Sequence, residues 1–291
     1  MNSKTGNKIK DYLELSKLKI MVPISLTGFT GYFIFDSRIT LNIFICSFGI
    51  LIMAVSASIL NQLQEVGIDS KMKRTQDRPL PAGKITFQQA IIFFILTLVS
   101  GTSLVYFSGN ATAALIGLFT ICWYNGVYTY AKRITAFAVV PGAVTGALPP
   151  LIGWVAAGGG IWDKSILFVE FMFFIGQVPH FWLIIMKYGE EYEKAGIPSL
   201  TGILSRSQIN RLTFTWVVTS VISALFLCHF GIIQSGLITG ILIIASSIII
   251  WQFSELFKIP EGKNCFRKFS VLLDSYFFLL LLLLISDRIL T

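Results

Sequence analysis

Long apolar stretches alternate with short polar connections over most of the chain. A helix that crosses a bilayer needs about 20 mostly apolar residues. The apolar positions run on without interruption, whereas the strands of a membrane barrel alternate apolar and polar positions, so the pattern predicts helices. Nine stretches approach the required length, at residues 20–35, 41–60, 87–107, 111–130, 135–157, 166–186, 212–230, 232–253 and 269–285.

The composition also indicates a membrane protein. Hydrophobic residues make up 54% of the 291 residues and charged residues 13%, whereas soluble domains are about 25% charged. Too few polar side chains remain to cover a water-soluble particle. We therefore expect one all-α membrane domain over residues 1–291. Its polar parts would be an N-terminal segment at residues 1–19 and connections at about 61–86 and 187–211.

Lysines and arginines fall overwhelmingly on one side of such a bundle. The chain has 23 of them, and only Arg38, Lys164 and Arg288 fall on the other side. Short basic connections mark the cytoplasmic side of a membrane protein. The charge pattern therefore predicts a cytoplasmic N-terminus and an outer C-terminus. No signal-peptide cleavage site follows the first apolar stretch, so we expect it to be a true span.

The end of the second predicted span carries polar residues at helical spacing. Asn61, Glu65 and Asp69 are four positions apart and share one face of a helix. Carboxylate and amide oxygens suit Mg²⁺, which usually also keeps waters and substrate phosphates. Arg74 and Arg78 follow, and guanidinium groups bind phosphate in a bidentate manner. The segment predicts a diphosphate site with Mg²⁺; the alternative is a solvated helix end.

A second polar segment follows the sixth predicted span. Glu190 and Glu191 form an acidic cluster on the same predicted side and would offer further oxygen ligands. Taken alone, they are better explained as part of a mixed-charge loop. His180 precedes them in an apolar aromatic segment. Such a histidine is more often a packing residue, although neutral imidazole also binds iron, and both interpretations stay open.

Several ordered motifs resemble the UbiA-type prenyltransferases, and among them the haem O synthases. Asn61-x3-Glu65-x3-Asp69 is similar to the motif that follows the second helix of that family. The likeness extends from about residue 11 to 200. It is carried by Arg-Pro-Leu-Pro-Ala-Gly at 78–83, Gly-Ala-Leu-Pro-Pro-Leu-Ile-Gly-Trp at 146–154, Pro-His-Phe-Trp at 179–182 and Ala-Gly-Ile-Pro at 195–198, with a looser match of Leu-Ser-Lys-Leu-Lys at 15–19.

The chain departs from that family's pattern at several positions. Glu65 stands where an Asp is usual, Gly176 where a Trp is expected, and Ala138 where an Asn is expected. Leu18 replaces a Pro and Ser199 replaces a Met. A glutamate still binds metal, so the departures bear on the acceptor pocket more than on the metal and diphosphate site.

The resemblance implies a fold, a reaction and a set of roles. The fold is a UbiA-type bundle of about nine helices. The reaction is the Mg²⁺-dependent transfer of a farnesyl group from farnesyl diphosphate to the vinyl group of protoheme IX (haem b), which makes haem O. The implied roles are catalysis and metal binding by Asn61, Glu65, Asp69 and Glu191, with Glu190 as a further metal ligand; diphosphate binding by Lys73, Arg74, Arg78, Lys132 and Arg133; and an acceptor or cation pocket of His180, Tyr124, Tyr128, Phe181 and Trp182.

The same resemblance implies a location and partners. The expected location is the bacterial cytoplasmic (inner) membrane, in contact with membrane lipid. The product would serve the biogenesis of haem–copper oxidases. Haem A synthase or the cytochrome oxidase assembly machinery is therefore the expected protein partner.

Two other functions stay open at this point. The same fold could act on a quinone precursor or a chlorin; Pro-His-Phe-Trp at 179–182 and Gly-Ala-x-Pro-Pro at 146–150 argue against this alternative, while Gly176 and Ala138 keep it open. The second is a transporter, because Pro149 and Pro150 predict a break in the fifth span and transporters bind ligands in broken helices near the midplane. The acidic clusters lie at one membrane face, which favours an enzyme.

Overall fold

The computed structural model of the chain describes residues 8–258 and 266–291, except for the side chains of Ile185 and Glu190. Within these ranges the chain is helical and contains no strand. Nine helical segments of the described chain are long and apolar enough to cross a membrane. The predicted fold class and number of spans are confirmed, and the chain is an integral membrane protein.

The helices follow one another along the chain with short connections. The α-helices are α1 Lys8–Ser16, α2 Leu18–Phe35, α3 Leu41–Asp69, α4 Phe87–Ser108, α5 Ala111–Cys122, α6 Thr129–Ala131, α7 Val139–Ala156, α8 Lys164–Lys194, α9 Arg206–His229, α10 Gly236–Ser254 and α11 Phe266–Leu290. A π-helical segment covers Trp123–Tyr128, and 3₁₀ turns cover Ala136–Ala138, Leu200–Gly202 and Glu255–Lys258.

Side-chain caps explain where several spans begin. Thr86 and Ser205 each form a capping box with the glutamine three residues later, at the starts of α4 and α9. Asn110 accepts a bond from the backbone N–H of Ala113 (2.9 Å) and caps α5. The same side chain donates to the carbonyl of Val155 (2.6 Å), so the cap also ties α5 to α7.

Helices α2 and α7 are in close contact near the centre of the bundle. A Cβ atom at Gly31 would overlap the carbonyl of Pro150, and one at Gly153 would overlap the carbonyl of Gly28. The small residues let the two backbones approach as they do in many membrane bundles. This contact belongs to a core of buried apolar side chains contributed by most of the spans.

Pro149 and Pro150 do not break the fifth span, contrary to the sequence prediction. Helix α7 runs continuously from Val139 to Ala156 across both residues. Each proline removes a backbone donor, but both are buried in the bundle, where neighbouring helices keep the backbone in place. The sequence feature that favoured a transporter is therefore absent from the fold.

Helices α3 and α8 extend further toward the basic face than the apolar pattern predicts. Helix α3 ends at Asp69 and α8 at Lys194. Residues 61–69 and 187–194, which we expected in polar connections, are therefore helical. The hydropathy pattern ends where polar residues begin, but Gln, Glu, Lys and similar residues are good helix formers, so the backbone hydrogen bonding continues.

Candidate active site

A cavity of about 220 Å³ lies where the C-terminal ends of α3 and α8 meet the turns after α1, α5 and α8. It is at the end of the bundle where most basic residues lie. The polar side chains that line it are those of Lys17, Asn61, Glu65, Asp69, Arg74, Arg78, Tyr124, Tyr128, Lys132, Thr135, Tyr192 and Ser199.

The polar stripe at the end of α3 faces this cavity. Asn61, Glu65 and Asp69 all line it, and all three are buried. The prediction that the four-residue spacing places them on one helical face is confirmed by the continuous helix Leu41–Asp69. Two carboxylates and an amide are thus removed from water at one side of a single cavity.

Each carboxylate of this stripe is paired with a cation. Lys132 Nζ lies 2.5 Å from Glu65 Oε1, and Arg78 Nη1 donates to Asp69 Oδ2 at 2.7 Å. The four side chains are at most one-fifth exposed. A buried charge is tolerated only when paired, so these pairs neutralise the acids locally. The partners of the two carboxylates are long, charged side chains and not fixed backbone groups.

A π-helical segment positions the aromatic wall of the cavity. The rings of Tyr124 and Tyr128 are stacked with centroids 5.3 Å apart, and Phe181 lies 6.0 Å from Tyr128. Thr129 Oγ1 donates to the carbonyl of Tyr124 (3.0 Å) and accepts from Asn61 Nδ2 (3.1 Å). The segment is therefore tied to the polar stripe of α3. Single π turns are frequent at functional sites, and the apolar pattern does not reveal this one.

The C-terminal part of α8 closes the cavity opposite α3. Arg74 lies over the ring of Tyr188 with its Cζ 5.0 Å from the centroid, and its Nη2 donates to the hydroxyl of Tyr192 at 3.3 Å. Burial raises the pKa of Tyr192 above its usual value. Its hydroxyl therefore remains a neutral donor and acceptor beside the guanidinium group.

Lys17 is a site residue that our sequence analysis did not select. It lies between α1 and α2 in the left-handed conformation (φ 47°, ψ 41°), which is uncommon for a residue with a side chain. It lines the cavity. Burial, and secondly the nearby Arg78, lower the pKa of Lys17 to about 7. The only sequence signal for it was the loose motif match at residues 15–19.

The cavity holds more cations than carboxylates. Among its described lining residues, Lys17, Arg74, Arg78 and Lys132 are basic, and only two residues are acidic. Burial lowers the pKa of Lys132, and the adjacent Glu65 opposes that shift. The positive charges repel one another in a poorly hydrated space. An anion that enters the cavity would relieve this repulsion.

Among the predicted site residues that do not line the cavity are Lys73, Arg133 and Trp182. Lys73 is exposed. Arg133 donates from Nη2 to the carbonyl of Gln64 (2.8 Å), on the outer side of α3. Trp182 is buried and packs edge-to-face against Trp216 at 5.8 Å in a separate apolar cluster. Residues next to each other in a helix point in directions about 100° apart, so Trp182 cannot face the cavity with Phe181.

Helix α8 carries two of the predicted acidic site residues, Glu190 and Glu191. The side chain of Glu190 lies outside the described part of the structure. Glu191 is not part of the cavity lining, but its Oε2 is buried without a hydrogen-bond partner among the described residues. In the described chain no three His, Cys, Asp or Glu side chains form a group able to hold a metal.

Neither histidine is among the residues that line the cavity. His180 Nδ1 is 2.9 Å from Asp274 Oδ1, across the contact between α8 and α11. His229 is exposed at the end of α9, as expected for an interfacial residue. Three departures from the family pattern, Glu65, Ala138 and Ser199, line the cavity, whereas Gly176 does not. The altered positions at 138 and 199 therefore change the cavity wall itself.

The fold and the site together define an intramembrane enzyme with a buried cationic cavity at one membrane face. The chain belongs to the UbiA prenyltransferase family, whose model matches residues 24–282. Members of this family are prenyltransferases, so the predicted enzyme class is confirmed.

Curated relatives extend over most of the chain. A protoheme IX farnesyltransferase of Cytophaga hutchinsonii is 34% identical over 275 residues, covering 92% of each chain. One of Geobacter sulfurreducens is 39% identical over 184 residues, which are 63% of this chain and 68% of that one. The structure of a UbiA homologue from Archaeoglobus fulgidus bound to GPP and Mg²⁺ superposes with a TM-score of 0.73. It is 15% identical, with 96% of this chain and 98% of that chain covered, so this likeness is one of fold.

Proposed function

We propose that this prenyltransferase moves a farnesyl group from farnesyl diphosphate to a vinyl group of haem b and so makes haem O. The names of the Cytophaga and Geobacter relatives support this reaction. The observation that carries the proposal is the buried cavity in which four basic residues meet two carboxylates. Such a cavity favours a compact, highly charged anion, and a diphosphate is one.

The residues of the cavity fit a role for Mg²⁺. Asn61, Glu65 and Asp69 are hard oxygen ligands, and the orphaned Oε2 of Glu191 lacks a cation or donor. Mg²⁺ is commonly held by one or two carboxylates while phosphate and water fill the remaining positions, which agrees with the absence of a complete protein ligand set among the described residues. When bound, Mg²⁺ would supply positive charge to the diphosphate.

Binding of the charged substrate would exchange the ion pairs seen at the end of α3. Lys132 and Arg78 now contact Glu65 and Asp69. With Glu65 and Asp69 holding Mg²⁺, Lys132 and Arg78 would be free to contact the diphosphate. Arg74 and Lys17 already line the same space and complete the set of counter-charges. Charges that face the leaving group stabilise it most in the transition state.

The reaction itself needs little from the protein besides charge and shelter. The C1–O bond of farnesyl diphosphate breaks, and its electron pair leaves with the diphosphate. The vinyl group supplies the electrons for the new carbon–carbon bond, and water adds to the resulting cation with loss of a proton. Tyr124, Tyr128 and Phe181 form the wall where the allylic cation would arise, and their π-faces stabilise positive charge.

Ala138 and Ser199 are small residues in the cavity wall where the family pattern leads us to expect larger ones. Space at these positions is compatible with a bulky ring system. The quinone and chlorin alternatives share the diphosphate site, so only the product separates them.

We place the cavity at the cytoplasmic face of the bacterial inner membrane. Four basic residues at or beside the connections between helices line the cavity: Lys17, Arg74, Arg78 and Lys132. Basic connections are retained on the cytoplasmic side. Haem A synthase or another oxidase assembly factor would then receive the product.

The direct test is incubation of the purified chain in detergent with haem b, farnesyl diphosphate and Mg²⁺, followed by mass analysis of the extracted haem. We expect a gain that matches the hydroxyethylfarnesyl adduct and disappears when a chelator removes Mg²⁺. A chain that binds farnesyl diphosphate yet leaves haem b unmodified would contradict the acceptor. A product formed at full rate in excess chelator would contradict the metal.

A further inference from the structure

The contact between α8 and α11 contains a polar pair that the diphosphate site does not use. His180 and Asp274 both lie within membrane-spanning helices. His180 Nδ1 and Asp274 Oδ1 are 2.9 Å apart. The carboxylate can only accept, so Nδ1 carries the proton and donates it. In the neutral imidazole, this leaves the lone pair on Nε2.

The packing of α11 against α8 brings this pair together. A Cβ atom at Gly176 would overlap the ring of Phe277. Gly176 is one turn before His180 on α8, and Phe277 is one turn after Asp274 on α11. The ring of Phe277 therefore lies where a side chain at position 176 would be. This contact brings the two helices close enough for Asp274 to reach the imidazole.

The pair is poorly explained as a structural contact. The His180 side chain is 32% exposed and that of Asp274 57% exposed. Ionisable groups within a membrane span are costly and usually mark a functional site. A carboxylate that serves only packing would be buried and fully bonded, as Asp287 is at the other end of α11. Asp274 is instead exposed, and it accepts a bond from a histidine that is itself partly exposed.

The pair also lies beside the reaction cavity. His180 precedes Phe181, which lines the cavity, and the two rings are 6.2 Å apart. A ring system that reached the aromatic wall from the side of α11 would pass His180. A carboxylate that accepts from Nδ1 orients the imidazole and increases the basicity of Nε2, which is how metal-binding histidines are usually supported.

We propose that Nε2 of His180 is an axial ligand of the iron in the haem acceptor, and that Asp274 is the positioning residue for that ligand. The inference rests on the proposed function, because it takes haem b as the acceptor. It adds a residue from α11, which no sequence motif indicated. It also gives Gly176 a role, since that departure from the family pattern creates the space for Phe277.

The test compares the binding of haem b with that of metal-free protoporphyrin IX to the full chain in detergent. We expect haem b to show the absorption and magnetic spectra of a nitrogen-ligated iron. His180→Ala should abolish those spectra and weaken haem b binding about tenfold or more, while the affinity for metal-free protoporphyrin IX stays unchanged. Added imidazole should restore the spectra by filling the position of the lost ring.

A matched control uses the other histidine. His229→Ala removes an exposed imidazole at the end of α9 and should leave haem b binding as it is. Should His180→Ala fail to fold, His180→Gln keeps a polar side chain of similar size and serves the same comparison. Unchanged nitrogen-ligated spectra in the folded variant would overturn the proposal. Equal losses for haem b and the metal-free ring would overturn it as well.

Asp274 has its own readout as a positioning residue. Asp274→Asn should leave His180 ligated but weaken haem b binding by about 10- to 100-fold and raise the reduction potential of the bound iron, because the ligand is less basic. Gly176→Ala should act in the same direction by displacing Phe277. Gly240→Ala is the control, since no atom lies near its Cβ position. An unchanged potential in Asp274→Asn would contradict the role of Asp274.

Failure of this inference can be told apart from failure of the proposed reaction. Ligation by His180 without a farnesylated product would support the ligand and contradict the reaction. Farnesylated product from His180→Ala with wild-type affinity for haem b would support the reaction and contradict the ligand.

Discussion

Two buried carboxylates at opposite ends of the bundle show how differently the same group can be held. Asp287, near the end of α11, is fully buried and accepts bonds from the backbone N–H groups of Gln234 (3.1 Å) and Ser235 (2.8 Å). Asp69, at the end of α3, is bonded by the side chain of Arg78 across a cavity. One carboxylate is bonded by fixed backbone groups, and the other by a side chain that can turn away.

This difference distinguishes a carboxylate with a structural role from one that is available to bind a ligand. Backbone donors cannot leave without unfolding the connection that carries them, so Asp287 joins the segment after α9 to α11 permanently. A lysine or arginine partner in a cavity can be exchanged for a metal or a phosphate. Both carboxylates are equally buried, and burial alone would not tell them apart. The identity of the partner is what distinguishes them.

The largest effect should follow from Asp69→Asn. Loss of this charge removes a proposed metal ligand and leaves Arg78 without its anion. We expect turnover in the haem assay to fall by about 10²- to 10³-fold, as for removal of one group that stabilises a developing charge, with the protein still folded. The matched control is Asp77→Asn, an exposed carboxylate in the same connection, which should keep wild-type turnover. Unchanged turnover in Asp69→Asn would remove Asp69 from the site.

For Asp287→Ala we expect a loss of stability and no loss of turnover. Two backbone donors, those of Gln234 and Ser235, lose a charged acceptor, and hydrogen bonds to charged groups contribute about 1.5–3 kcal/mol each. The variant should therefore lose roughly 3 kcal/mol or more of stability, seen as a lower melting temperature in detergent. Turnover per folded molecule should not change. A variant as stable as the parent chain would show that water replaces the carboxylate.

A smaller effect is expected for Lys132→Met. This change removes a counter-charge from the cavity but leaves Arg74, Arg78 and Lys17 in place. Because charge-assisted bonds are worth about twice neutral ones, we expect roughly tenfold weaker binding of farnesyl diphosphate. Lys71→Met, an exposed lysine after α3, serves as control. Equal effects of both substitutions would mean that general surface charge, and not the cavity, binds the diphosphate.

Much of the fold was predictable because its determinants are local in sequence. Apolar stretches of spanning length predict membrane helices wherever they occur, and nine were found in the described chain as predicted. The four-residue spacing of Asn61, Glu65 and Asp69 predicts a shared helical face without knowledge of any neighbour. The same local reasoning failed at the ends of α3 and α8, because a helix can continue where hydropathy stops.

The functional site was only partly predictable, because much of it depends on contacts that are not local in sequence. Spacing along α3 identifies its polar face, but it does not show that Lys17 reaches the cavity while Lys73 does not. Trp182 follows Phe181 in sequence, yet the two rings belong to different clusters. A motif match thus assigns a role to a segment of the chain. The direction of each side chain in the fold decides which residue of that segment can perform the role.

The membrane environment, the number of spans, the family and the polar stripe of α3 could all be established from the chain without its folded structure. These follow from composition, from periodicity along one helix and from ordered motifs. The pairing of Asp69 with Arg78, of Glu65 with Lys132 and of His180 with Asp274 is seen only in the folded bundle. The last pair joins residues 94 positions apart. Such contacts depend on how helices pack against one another, and no local pattern in the chain specifies that packing.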